Sequence, residues 1–87
     1  MDTQYMAAAN DSCLWPANAK LFTVNVGTTD TSAVVTVYNG TTSSGEVKAV
    51  IDAATAVRTC RFHGARFPNG LFVELTGGNA KVSVVAD

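Results

Sequence analysis

Cys60-Arg-Phe-His63 carries the most obvious chemical potential in this 87-residue chain. Cys-x2-His is the spacing of a zinc half-site, and Cys13 is available as a third ligand. A structural zinc needs four such groups converging on one point. The surrounding residues look like a strand, where positions i and i+3 face opposite ways, so Cys60 and His63 converge only if the strand bends at Gly64. No fourth ligand stands out, so no metal or other cofactor is expected. Cys60 reads as a small core residue and His63 as a polar residue at a strand end. The same geometry works against a cysteine–histidine nucleophile. The chain has one histidine, and no Ser-His-Asp arrangement is proposed around it. Asp30, Glu46, Asp52 and Glu74 include no obvious close pair for acid–base work, and glycosidase chemistry would need two carboxylates across a cleft. An enzyme is not expected.

Arg58, Arg61 and Arg66 are three of the six cationic residues, gathered within nine positions and interleaved with Phe62 and Phe67, with Phe72 beyond. The guanidinium fork suits carboxylates and phosphates. Nucleic-acid binding would call for more positive charge than a net of −1 provides. Two readings of the arginines stay open: a solvated strand edge protected by charge, and a contact with an acidic protein neighbour.

The elements that must position these residues are strands. Phe22, Val24 and Val26 alternate with Leu21, Thr23 and Asn25, and Gly27-Thr-Thr-Asp30 breaks the run. Ala33 to Tyr38 is apolar on both faces, as in a central, doubly covered strand. A polar loop, Asn39 to Gly45, leads to Glu46–Asp52, with Val47, Ala49 and Ile51 on one face. Ala53-Ala54-Thr55 turns the chain into Val57–Phe62, where Cys60 and Phe62 share a face. Pro68 and Gly70 fit the second and fourth positions of a type I turn. Leu71, Val73 and Leu75, then Val82, Val84 and Ala86, mark two further strands. The Gly77-Gly78 between them suits a primed hairpin turn, and no strand-to-helix phosphate loop. Strand centres roughly 10 to 13 residues apart predict an all-β domain: a single antiparallel β-sandwich of six to eight strands, jelly-roll-like, with an up-and-down barrel second. Residues 19–87 form that domain. Residues 1–18 lack strand periodicity and read as an N-terminal arm. Trp15 in it either pins the arm to a neighbour or plugs the domain's own core.

Composition bounds the rest. A chain this short buries roughly 60–65 % of its unfolded surface and has a thin core, so oligomerisation is a common source of extra stability. Only 15 % of residues are charged, against ~25 % in an average soluble domain, which fits either a partner-covered surface or a threonine-rich exterior. No secretory leader is read, so reduced thiols are expected at Cys13 and Cys60. No run approaches the ~18 apolar residues of a membrane span, and no membrane partner is expected.

Two stretches carry a family resemblance: Val37-Tyr-Asn-Gly-Thr-Thr-Ser-Ser-Gly-Glu-Val-Lys-Ala-Val-Ile-Asp52, and Arg66-Phe-Pro-Asn-Gly-Leu-Phe-Val-Glu-Leu-Thr-Gly-Gly-Asn-Ala-Lys-Val-Ser-Val-Val85. Together they resemble small virion proteins of tailed bacteriophages, over about Leu21 to Val85. The shared motifs are turn and core residues, so no functional residue carries over. The resemblance implies a β-sandwich subunit of a virus particle, assembled in the host cytoplasm. It would be a capsid decoration or cement protein binding the major capsid protein or other virion proteins, with a trimer the favoured homo-oligomer. A neck or tail structural protein is the alternative. A carbohydrate-binding module is another, with Tyr38, Phe72 and Trp15 as its candidate aromatics. Leu14, Trp15, Arg61 and Arg66 are the candidate interface residues. On this reading, deleting Met1 to Trp15 weakens attachment and leaves the domain folded.

Overall fold

The computed structural model describes residues 2–28, 32–52 and 58–87. Eight strands follow one another without a helix among these residues: β1 (Asp2–Met6), β2 (Ser12–Trp15), β3 (Ala19–Thr28), β4 (Val34–Asn39), β5 (Glu46–Asp52), β6 (Arg58–Phe67), β7 (Leu71–Thr76) and β8 (Lys81–Ala86). They form two four-stranded sheets, in the orders β1-β8-β3-β6 and β2-β7-β4-β5. Every neighbouring pair is antiparallel. The pairs β1–β8, β2–β7, β3–β6 and β4–β5 describe one long hairpin whose arms have been rolled so that successive pairs alternate between sheets. This is the jelly-roll arrangement.

Period-two alternation builds the core. Leu71, Val73 and Leu75 of β7, Val35 and Val37 of β4, and Val82, Val84 and Ala86 of β8 all point between the sheets and are buried. Their chain neighbours Phe72, Glu74, Val34, Thr36, Ser83 and Val85 are half-buried on the outer faces. The smallest extent of the molecule, 17 Å, admits two sheets and a single layer of side chains. No polar or charged residue is buried among the described residues.

The segment read as an arm instead supplies edge strands to both sheets. Met6, Cys13 and Trp15 are core residues. The physical reason is long-range pairing: β1 is in register with β8, Thr3 opposite Val85, and β2 with β7, Leu14 opposite Phe72. The two edges are stitched by one side chain. The Gln4 amide donates from Nε2 to the Leu14 carbonyl (2.9 Å) and accepts from the Leu14 N–H at Oε1 (3.1 Å). It thus occupies hydrogen-bonding positions that a further strand could take at the β2 edge. Between β1 and β2 the chain turns on Asp11, whose Oδ2 accepts from the N–H groups of Ala7 and Ala8, each at 2.9 Å.

Four other expectations change. Leu71–Thr76 and Lys81–Ala86 do not pair as a hairpin; they lie in different sheets, and Gly77, at φ 83°, serves a crossover. In β3 a register shift between Leu21 and Thr23 reverses the alternation. Leu21 therefore turns into the core with Val24 and Val26, and Phe22 rests against Gly64. In β5 a shift opposite Val37 and Tyr38 pairs Val47 with Tyr38 and leaves Val47 exposed, apart from the buried Ile51. β4 is central, as expected, but among the described residues no element covers its Val34–Tyr38 face, and both side chains are half-buried. The turn at Pro68 forms as expected, with the Gly70 N–H donating to the Phe67 carbonyl (3.2 Å). Gly70 sits at φ 116°, where a Cβ would lie 2.8 Å from the Gly40 carbonyl oxygen. The turn expected at Ala53-Ala54-Thr55, with Val57, lies outside the described residues, as does Asp30.

Two outcomes test this account. Removing residues 1–15 deletes two strands and three core side chains, so the truncated chain should lose its cooperative thermal transition. Trp15 is 5 % exposed, and its Nε1–H has no hydrogen-bond partner among the described residues. An unpaired buried donor costs about 1–3 kcal/mol. Trp15→Phe should therefore cost about 1 kcal/mol or less in denaturant unfolding, against about 3–5 kcal/mol for Trp15→Ala.

Candidate functional site: two contrasting sheet faces

The antiparallel registers place whole rows of side chains across the outer face of each sheet. On the β2-β7-β4-β5 sheet, Leu14 lies opposite Phe72, Phe72 opposite Tyr38, and Tyr38 opposite Val47. One apolar side chain from each of four strands thus forms a continuous line perpendicular to the strands. Phe72 and Tyr38 pack at a ring-centroid distance of 5.8 Å and 49° between planes, an inclined arrangement that aromatic quadrupoles favour. At the two ends Leu14 is 48 % and Val47 52 % exposed, and in the next row Val50 is 65 % exposed. Single exposed aliphatics are ordinary; here they end a connected apolar line that crosses a whole sheet.

The β1-β8-β3-β6 sheet has a different outer face. Tyr5, Ser83, Asn25 and Thr59 form one row, and Thr3, Val85, Thr23 and Arg61 the next. Thr59 Oγ1 donates to Asn25 Oδ1 at 2.7 Å. Arg66 lies opposite Lys20, both exposed, at one end of this sheet.

The four candidate contact residues are therefore not brought together. Leu14 is exposed on one sheet, Arg61 and Arg66 are exposed on the other, and Trp15 is enclosed in the core between them. The plug reading of Trp15 holds, because alternation along a four-residue strand sends Trp15 inward with Cys13 and Leu14 outward. The side chain of Arg58 lies outside the described residues. Phe62 packs against the core, Phe67 is buried in it, and Phe72 belongs to the opposite face, so the aromatics do not interleave with arginines in space. For the carbohydrate reading, Trp15 is buried and Tyr38 and Phe72 stack on each other; the most exposed aromatic is Tyr5, at 75 %.

Cys13 and Cys60 are free thiols on different sheets. Burial, aided by the Asp11 carboxylate, pushes the Cys13 thiol up to about 11, so at neutral pH it is protonated and a poor nucleophile or metal ligand. Cys60 packs against the core, and His63, at φ 54°, stands exposed where β6 bulges beside Gly64. Among the described residues no three His, Cys, Asp or Glu side chains group to hold an ion. Asp11 is held below its ordinary value by the Ala7 and Ala8 N–H groups, which fixes it as a turn residue. The exposed Glu46–Lys48 ion pair, 2.8 Å apart, adds little stability.

Sequence reasoning missed the four-strand apolar row. Its signal was Tyr38 and Phe72, each at the outward parity of a strand whose other parity is all Val and Leu. No family model, curated protein or solved structure matched the chain.

The Cys13 thiol makes stability pH-dependent. Between its usual value of 9.0 and about 11 the unfolded chain releases a proton that the folded chain keeps. Stability should therefore be intact below pH 9 and fall as pH rises toward 11. Denaturant midpoints across that range should show the decline, and Cys13→Ala should flatten it.

Proposed function

We propose that this chain is a structural subunit of a bacteriophage particle, a capsid decoration or cement protein that binds the major capsid shell and reinforces it. The observation that carries the reading is the apolar line Leu14–Phe72–Tyr38–Val47, with Val50 exposed in the next row, on an outer sheet face that no described element covers. The low charge of the chain and its resemblance to small tailed-phage virion proteins support it.

The mechanism is adhesive. A nearly rigid sheet face loses little conformational entropy on docking. At ~25 cal/mol per Å², burying ~200 Å² of apolar surface contributes ~5 kcal/mol before association costs. Repeated over many copies, such contacts stiffen a shell. Attachment uses this sheet face and not a detached arm, since residues 2–15 are built into both sheets. Of the four candidate contact residues, only Leu14 lies on it; Arg61 and Arg66 would serve a second, acidic neighbour on the opposite side.

Leu14→Glu combined with Val47→Glu changes two side chains that are about half exposed, so the thermal midpoint should barely move. Occupancy on purified particles should fall by about tenfold or more. Undiminished occupancy would sink the docking face, and a copy number of only a few per particle would favour a neck or tail position instead.

A further inference from the structure

The apolar line occupies one sheet; the other sheet holds an open cleft of about 290 Å³, bordered by Tyr5, Asn25, Gly27 and Ser83 together with the apolar Met6 and Val82. We infer that this cleft is a saccharide-binding site that takes a single neutral pyranose ring, stacked on Tyr5 and hydrogen-bonded by Asn25 and Ser83. The inference stands apart from the docking surface, which lies on the opposite sheet.

Strand register assembles the site. Tyr5 of β1, Ser83 of β8 and Asn25 of β3 are cross-strand neighbours in one row, so an aromatic ring and two uncharged polar groups share a line about 10 Å long. Tyr5 is 75 % exposed, which leaves its ring available on an edge strand. The hydroxyl of Thr59 donates to Asn25 Oδ1 and fixes the amide, so the Nδ2 hydrogens are the donors that remain. Ser83 offers a hydroxyl that both donates and accepts. Gly27 makes the floor: it contributes no side chain, and a Cβ there would meet nothing closer than the Lys81 carbonyl oxygen at 3.6 Å, an ordinary contact. A side chain at residue 27 would therefore find open space beside the hollow.

The chemistry of the lining selects the ligand class. Most of the lining is apolar, so an occupant needs an apolar face, and the Asn25 amide and the Ser83 hydroxyl are the few polar groups that could orient it. An anion would find only Lys81, which is already engaged. A molecule with an apolar C–H face and an edge of hydroxyls satisfies both sides of the cleft, and a pyranose has that build. The volume, at the low end of small-molecule pockets (roughly 300–1,000 Å³), accommodates one ring and not an oligosaccharide.

The test uses the full chain, labelled with nitrogen-15 and titrated with the methyl β-glycosides of glucose, galactose and N-acetylglucosamine. At least one should give saturable amide shifts centred on Tyr5, Asn25, Gly27 and Ser83, with a millimolar midpoint as expected for one small ring. Gly27→Val fills the hollow with a residue that suits a strand, and Tyr5→Ala removes the platform. Each should weaken binding by about tenfold or more. Tyr5→Phe keeps the stacking face and should stay within about threefold. Absence of saturable shifts with all three glycosides overturns the inference, as do shifts that persist in both Gly27→Val and Tyr5→Ala. Should the valine variant fail to fold, the Tyr5 variants decide, since that side chain is mostly in water. None of these measurements involves the particle, so a negative result leaves the docking reading untouched, and lost occupancy on particles says nothing about this cleft.

Discussion

The last strand, β8, lies between β1 and β3, and β7 lies between β2 and β4. Val84 thus has Gln4 on one side and Val24 on the other, while Val73 has Cys13 and Val37. These interleaved pairings, with the aliphatic layer they clamp, are the constraint on which everything else rests. Among the described strands only β4 and β5 pair with a neighbour in sequence; every other ladder joins distant segments. Long loops must close before those ladders form, which makes this a topology where stability comes late and all at once. Neither end of the chain can be peeled away without opening both the ladder and the core.

A single-layer core has a functional corollary. Each strand gives one face to the interior, so the other face of every strand is surface, and its composition is free to serve something besides stability. The two outer faces have diverged. One presents an apolar line that spans a whole sheet. The other presents hydroxyls and amides around one exposed tyrosine, with cations toward the β6 edge. The interior holds no charge and no reactive constellation among the described residues, and its buried thiol is kept protonated by its surroundings.

Edge management explains several polar details that otherwise look incidental. Gln4 bonds both backbone groups of Leu14 at the β2 edge. At the β6 edge, His63 and Gly64 take left-handed conformations in a bulge, and Arg61 and Arg66 stand exposed on that strand. Bulges and charges of this kind discourage uncontrolled strand addition. The Cys-x2-His spacing that looked chemical in the sequence is therefore an edge bulge: Cys60 packs inward before it, and His63 sits within it.

Alternation of side chains by itself determined that this chain is a β-sandwich, and it located the inward residues of β7 and β8, because a period of two follows from backbone geometry alone. It also placed Pro68 and Gly70 in their turn, since those residue types satisfy a local conformational demand. What alternation could not carry was parity through a bulge, as at Leu21–Phe22 and Val47, where one extra residue sends every later side chain to the other face. Nor could it say which strand meets which. Gly77-Gly78 looked like a hairpin but bridges the sheets, and residues 1–18 looked like an arm but supply two edge strands, Asp2–Met6 and Ser12–Trp15. Both outer faces are assembled from residues tens of positions apart, so neither the Leu14–Val47 line nor the Tyr5 cleft exists in any local pattern. Only the tertiary structure decided them, because strand partnership is settled by which apolar faces can be buried together, and that is a property of the whole chain.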